Sequence, residues 1–149
     1  MATQTTDGMS FVAAEVFCSP DGSTWTEVSG HGASVAQSGG ERAVGEQNTL
    51  AGVTPIVAPG DRAATELTVR FVYTETASEP FDVAQTAHES ATGAFYTQYR
   101  VKGGGNWFST GLGYLTNLVY PQGEAGPGEV VMSEYVMKCS ALTDAAAST

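Results

Sequence analysis

Apolar and polar side chains alternate with a period of two along several stretches of this chain. The clearest is 64–74. Leu67, Val69, Phe71 and Tyr73 share one face, and Glu66, Thr68, Arg70 and Thr74 share the other, with Val72 as the exception. Successive side chains of a strand point to opposite faces, so this pattern predicts a half-buried antiparallel strand with a polar outer face. Residues 95–101 alternate in the same way, Phe95, Tyr99 and Val101 against Tyr96, Gln98 and Arg100. So do 129–142, with Val131, Tyr135, Met137 and Cys139 opposite Met132, Glu134, Val136 and Lys138. A first strand over 10–19 carries Phe11, Val12, Val16 and Phe17, and a short one over 25–28 returns along it. Between them, Ser19-Pro20-Asp21-Gly22-Ser23 has the chemistry of a tight turn, because proline fixes φ and glycine accepts positive φ. Residues 107–120 read as a further long strand, broken or bent near Gly111 and Gly113. The triple glycine 103–105 is a turn or bulge, and 121–128 is a loop.

The spacing predicts one helix. Ser78 caps it, Glu79 and Pro80 suit its first turn, and Asp82 adds negative charge near its N-terminus. Phe81, Ala84, Ala87 and Ala91 form its apolar side, and it ends near Gly93. Residues 37–63 are polar and glycine-rich. A structureless loop of that length is unusual inside a compact domain. It is expected to be ordered by a partner, or to contain an extended hairpin with Val53 to Val57 as one arm, projecting from the body. Residues 1–10 read as a flexible arm, 11–142 as one domain and 143–149 as a flexible tail. About six or seven strands with one helix between them make the fold mainly β, a β-sandwich or open barrel flanked by the helix and carrying the long projecting loop.

Composition narrows the function. The 149 residues carry 16 acidic and 6 basic side chains, a net charge of -10. A negative surface repels polyanions and does not grip them. No stretch approaches about 18 consecutive apolar residues, so no membrane insertion is expected. Residues 1–7 have neither a basic nor an apolar region of a standard secretion signal. Cys18 and Cys139 are expected to be buried thiols. His31 and His88 have no ligand partners at metal spacing, so neither metal nor organic cofactor is expected. The stretch GGGNWFSTG lacks the lysine of a phosphate loop and precedes a strand. No nucleophile sits beside a base, and no enzyme is expected. Glu41 and Glu46 near Arg42 read as a polar loop with a local ion pair. Trp25 and Trp107 lack a cationic track around them, so core packing or subunit contact accounts for them better than base stacking.

The loop segment from Glu41 through NTLAG (48–52) and PIVAPGDR (55–62), the strand ELTVRFVYTE (66–75), the helix after Ser78 and the strand ending near Leu142 together resemble a known family. They are similar to the major tail tube proteins of long-tailed, non-contractile bacteriophages, over most of 10–142. The resemblance implies a β-sandwich subunit that joins into hexameric rings whose inner sheets close a continuous β-barrel. Rings stack into a tube enclosing the tape measure protein, ended by tail terminator and tail tip or baseplate proteins. Genomic DNA passes through the lumen without specific binding. It implies a virion tail location, with synthesis in the bacterial host cytoplasm. On this reading Glu66, Thr68 and Arg70 face a lumen that is negative overall. Glu41, Arg42, Glu46, Asn48 and Leu50 make the contacts between rings, helped by 1–10. The competing readings are another tail or connector component of the same fold, a secreted carbohydrate-binding β-sandwich using Trp25 and Trp107, and a small enzyme on a β scaffold.

Overall fold

A computed structural model describes residues 8–31, 34–123, 126 and 128–145. Residues 1–7 of the expected arm 1–10 and the end of the expected tail, 146–149, lie outside the described residues. The strands are β1 (Glu15–Ser19), β2 (Thr26–Glu27), β3 (Ser34–Gly39), β4 (Arg42–Gln47), β5 (Ile56–Arg62), β6 (Thr65–Val72), β7 (Ala94–Arg100), β8 (Trp107–Ser109), β9 (Gly113–Val119), β10 (Met132–Cys139) and β11 (Thr143–Ala145). Among the described residues one α-helix, α1 (Pro80–His88), lies between β6 and β7. No helix among the described residues is long and apolar enough to cross a membrane.

Two antiparallel layers share the bent strand β7. One layer is β3-β6-β10-β9, which reaches β7 only through Ala94↔Tyr114 and Phe95↔Gly113. The other is β2-β1-β7-β8-β11. The apolar faces meet between them: Leu67, Val69 and Phe71 from β6, Tyr135 and Met137 from β10, Leu115 and Leu118 from β9, against Val16, Cys18 and Val28. The helix closes one side of this core with Phe81, Ala84 and Ala87. The expected mainly-β sandwich with one flanking helix is therefore the observed architecture, and the alternation along 64–74 is real: Thr65, Leu67, Val69 and Phe71 are buried.

Inside the core, the Tyr135 hydroxyl lies 2.8 Å from Thr97 Oγ1, and Thr97 Oγ1 also donates to Met137 Sδ at 3.2 Å. A buried phenol without such a partner would lose its water contacts uncompensated. Burial pushes the Tyr135 phenol well above its usual pKa and the Cys18 thiol up to about 12. Cys18 and Cys139 are both buried and unbonded to one another.

Several boundaries differ from the expectations. Phe11 and Val12 are exposed on a single 3-10 turn, Phe11–Ala13, and the first strand starts only at Glu15. Apolar type alone drew the strand too far, because these two side chains find no facing layer. Glu79, not Ser78, is the helix N-cap. Ser78 takes a left-handed conformation (φ 67°), and its N–H donates to Asp82 Oδ2 at 3.0 Å. The helix stops at His88, so Ala91 lies beyond it and is exposed. The break near Gly111 and Gly113 separates β8 from β9 as expected. A Cβ at Gly113 would lie 2.7 Å from the Lys138 carbonyl oxygen, which is why the crossing needs glycine. Residues 143–145 are not tail: β11 pairs with β8 through Thr143↔Ser109 and Ala145↔Trp107.

Candidate functional site

The segment 37–63 forms a strand hairpin. Gln37 to Gly39 belong to β3, and β4 pairs with β5, so the arm is Ile56–Arg62 rather than Val53 to Val57. The β3–β6 ladder runs on without a change of register from Gly39↔Thr65 through Gly40 N–H to Ala64 O (3.1 Å) and Ala63 N–H to Glu41 O (2.8 Å). It then reaches Arg42↔Arg62. Only between Arg42 and Val44 does a one-residue shift occur. One ladder thus begins in the sandwich and continues out of it. Gly39 and Gly40, both left-handed (φ 72° and 75°), turn it at the point of exit. A Cβ at Gly39 would stand 2.4 Å from the Ala64 carbonyl oxygen.

Beyond the bend, nearly every residue is exposed. Glu41, Arg42, Glu46, Asn48 and Leu50 all lie on this arm or its tip. The expected ion pair with Arg42 is absent; Arg42 Nη1 donates instead to the Gly60 carbonyl at 2.9 Å. Among the described residues the salt bridge is Arg100–Glu15, at 2.6 Å. Sequence reasoning missed the apolar character of the arm. Val44, Leu50, Val53, Ile56 and Val57 are exposed, Leu50 and Val53 completely so. Large apolar side chains held in water on a projecting element mark a contact surface.

The second feature is the outer face of the β3-β6-β10-β9 layer. Glu66, Thr68 and Arg70 do share it. Register adds two residues that the reading of a single strand could not: Glu134 lies opposite Arg70, and Lys138 lies opposite Glu66. Opposite charges on directly paired residues favour the register. The four charges cancel, so this face is balanced and does not carry the expected negative wall. The chain's excess acid lies elsewhere.

The layer has two open edges. Among the described residues β3 pairs only with β6, and its other side has no partner strand. On the far side, β9 meets β7 at Gly113 and Tyr114, and Leu115 N–H donates to the Gly93 carbonyl at 2.8 Å, so among the described residues the outer side of 116–119 has no partner strand. Unpaired strand edges are templates for pairing with another chain.

The two ends of the layer also differ from its polar face. Exposed large apolar residues cluster at the hairpin end, where Leu112 and Tyr114 stand, and along the arm itself. At the other end are Tyr120, Val130 and Val131. β6 connects the two: Thr65 roots the hairpin, and just past Val72 the Tyr73 N–H donates to the Val131 carbonyl at 2.9 Å. Tyr120, Val130 and Arg70 line a cleft of about 350 Å³ at that end.

No catalytic arrangement emerges among the described residues. Among the described residues no group of three His, Cys, Asp or Glu side chains could hold a metal. Burial raises both thiols, so neither is an activated nucleophile. Trp107 has its ring face under the Arg100 guanidinium (4.4 Å) and its ring packed edgewise against Phe17 (5.8 Å). A sugar platform would need that face free.

No family model and no curated protein matches the chain. Solved structures do, at low identity. A chain of the PVC sheath-tube complex, an extracellular contractile injection system in its extended state, superposes with a TM-score of 0.67 and 13% identity. The match covers 97% of this chain and 99% of that one. The tube-terminating cap of the anti-feeding prophage matches at 0.65 and 12%, covering 99% of this chain and 95% of that one. The tail of an empty GTA particle, refined helically with C6 symmetry, matches at 0.57 and 12%, covering 97% and 100%. At this identity the likenesses show the fold: it is tail-tube-like over nearly the whole chain.

Proposed function

We propose that this chain is a structural, non-catalytic subunit of a phage-like tail tube, forming hexameric rings that stack into a hollow tube. One observation carries the reading: a polar sheet face bounded by two open strand edges, with the edge ladder prolonged into an exposed apolar hairpin. Joining the β3 edge of one copy to the β9 edge of the next removes both edges and closes the polar faces around a lumen. The whole-chain likeness to tube, cap and tail subunits supports this. Glu66, Thr68 and Arg70, with Glu134 and Lys138, then line the lumen. A wall without net positive charge lets DNA slide, because its phosphates find no cluster of cations to displace their counterions.

The finer reading is a non-contractile, long-tailed phage tail located in the virion. The tube would enclose a tape measure protein, meet terminator and tip proteins at its ends, and conduct DNA. It rests on the sequence resemblance. A source particle with a sheath around the tube would replace the non-contractile part and leave the subunit role intact. A second reading, a ring that ends a tube, is favoured by the likeness to the anti-feeding prophage cap. Negative-stain images of purified protein and of source particles separate the two. Long tubes with repeating rings are expected; single rings would favour the cap. A strict monomer at high concentration, with no tubes in the source particle, removes the tube reading.

The arm is proposed to carry the axial contacts, with help from 1–10. Deleting 44–55 leaves the sandwich core untouched, since none of those residues is buried. The expected result is a folded subunit by circular dichroism that forms no tubes. Unchanged tubes would contradict the assignment.

A further inference from the structure

We propose that the hairpin tip of one copy seats on the Tyr120–Val130–Val131 end of a copy in the next ring, a head-to-tail contact that repeats along the tube. The inference rests on the tube reading and names the surface that receives the hairpin. Three observations point there.

First, the donor and the acceptor sit at opposite ends of the same strands. The hairpin leaves β6 at Thr65, whereas Val131 is hydrogen-bonded just beyond Val72. Eight residues of β6 separate those ends by about 25 Å. With β3 joined to β9 around each ring, these strands run from one ring face to the other, and a stack in which all copies point the same way presents one copy's hairpin to the next copy's Val131 end. A contact between two different surfaces of the same chain does not close on itself, and it propagates.

Second, the arm is long enough. Its six-residue strand β4 spans about 20 Å, and the tip over 48–55 lies beyond that. Such an arm crosses a junction between rings and lies against the neighbour's end.

Third, the chemistry matches. The tip offers Leu50 and Val53, both fully exposed. The receiving end offers Tyr120, Val130 and Val131, all exposed, beside a cleft whose other lining includes Arg70, Gln122 and Glu134. A hairpin tip brings apolar side chains and unpaired backbone groups together. A mixed cleft with apolar shoulders and polar side chains can satisfy both.

The test uses two chains, each with one added cysteine, mixed before assembly, Val53→Cys in one and Val130→Cys in the other, treated with a short bismaleimide. Only a contact between copies can link them. The native Cys18 and Cys139 are buried, and the wild-type chain serves as the blank. Leu50→Cys with Val131→Cys is the second pair, should the first disturb assembly. The expected result is a covalent dimer band in assembled tubes that disappears in dissociated subunits. Tubes in which neither pair links, or in which Val53→Cys links instead to Gly104→Cys near the hairpin's own end of the sandwich, would overturn the docking site and leave the tube reading standing. Failure of wild-type protein to form rings or tubes, with none in the source particle, would remove both.

Discussion

Gly39→Ala is the substitution that tests most directly whether the hairpin's aim is built into the backbone. Gly39 is left-handed, and an L-residue there costs about 1–2 kcal/mol. Its new Cβ would also stand 2.4 Å from a backbone oxygen, that of Ala64. Backbone cannot rotate out of the way, so a shift costing about 1–3 kcal/mol more is expected. The total is about 2–5 kcal/mol. The shift that relieves it breaks the bond from Gly40 N–H to Ala64 O, at the hairpin root. Gly40→Ala is the control. It is equally left-handed, but its nearest contact, at 2.9 Å, is the Thr65 side-chain hydroxyl and not backbone. About 1–2 kcal/mol is expected there. Urea unfolding of unassembled subunit, at a concentration kept below tube formation, measures both costs without the added stability of assembly. Hydrogen exchange should quicken at 39–42 and 62–65 in Gly39→Ala, and tube yield should fall together with it. A Gly39→Ala subunit with wild-type stability and unchanged exchange would mean that the ladder does not bend at this pair.

Three further outcomes follow from the core, a turn and the thiols. Thr97→Val strands the buried Tyr135 hydroxyl and should cost about 1–3 kcal/mol, whereas the double variant with Tyr135→Phe should recover part of that loss; strict additivity in urea unfolding would show that the two hydroxyls are not partners. Asp21 Oδ1 accepts from Thr24 N–H, Ser23 N–H and the Ser19 hydroxyl, and these bonds hold its carboxyl well below the usual carboxylate range. The turn's stabilisation is therefore complete at neutral pH, begins to fall below the unfolded carboxylate pKa of about 3.9, and is lost as pH drops through the lower folded value; a carbon-13 titration of Asp21 with an ordinary midpoint would refute the geometry. With the Cys18 thiol pushed up to about 12 and Cys139 also raised by burial, neither should react with a thiol reagent at pH 8 until the chain unfolds, and two should react then; fast labelling of the native subunit would contradict the buried placement of these groups.

The alternation along 64–74 sufficed to identify β6, its buried face and the shared polar side of Glu66, Thr68 and Arg70. A strand that buries one face must write that face into every second residue. The mainly-β class and a helix beginning around Pro80 were legible for the same reason: each element repeats a local pattern. The charge of the polar face was not legible. Glu134 and Lys138 meet Arg70 and Glu66 only through the β6–β10 register, across more than sixty residues of chain. Nor was the hairpin marked by any apolar period, because an arm exposed on both faces has no core to write into its sequence. Its strands exist because the β3–β6 ladder continues beyond the sandwich and because Gly39 and Gly40 permit the bend. Thr143–Ala145 looks like a frayed end for a related reason: three small or polar residues become a strand only where the β8 edge is waiting for them. Local composition thus determined which segments can be strands and which faces are buried. Tertiary structure alone decided which edges stay open, which charges meet and which apolar side chains are left in water, since each depends on partners distant in the chain.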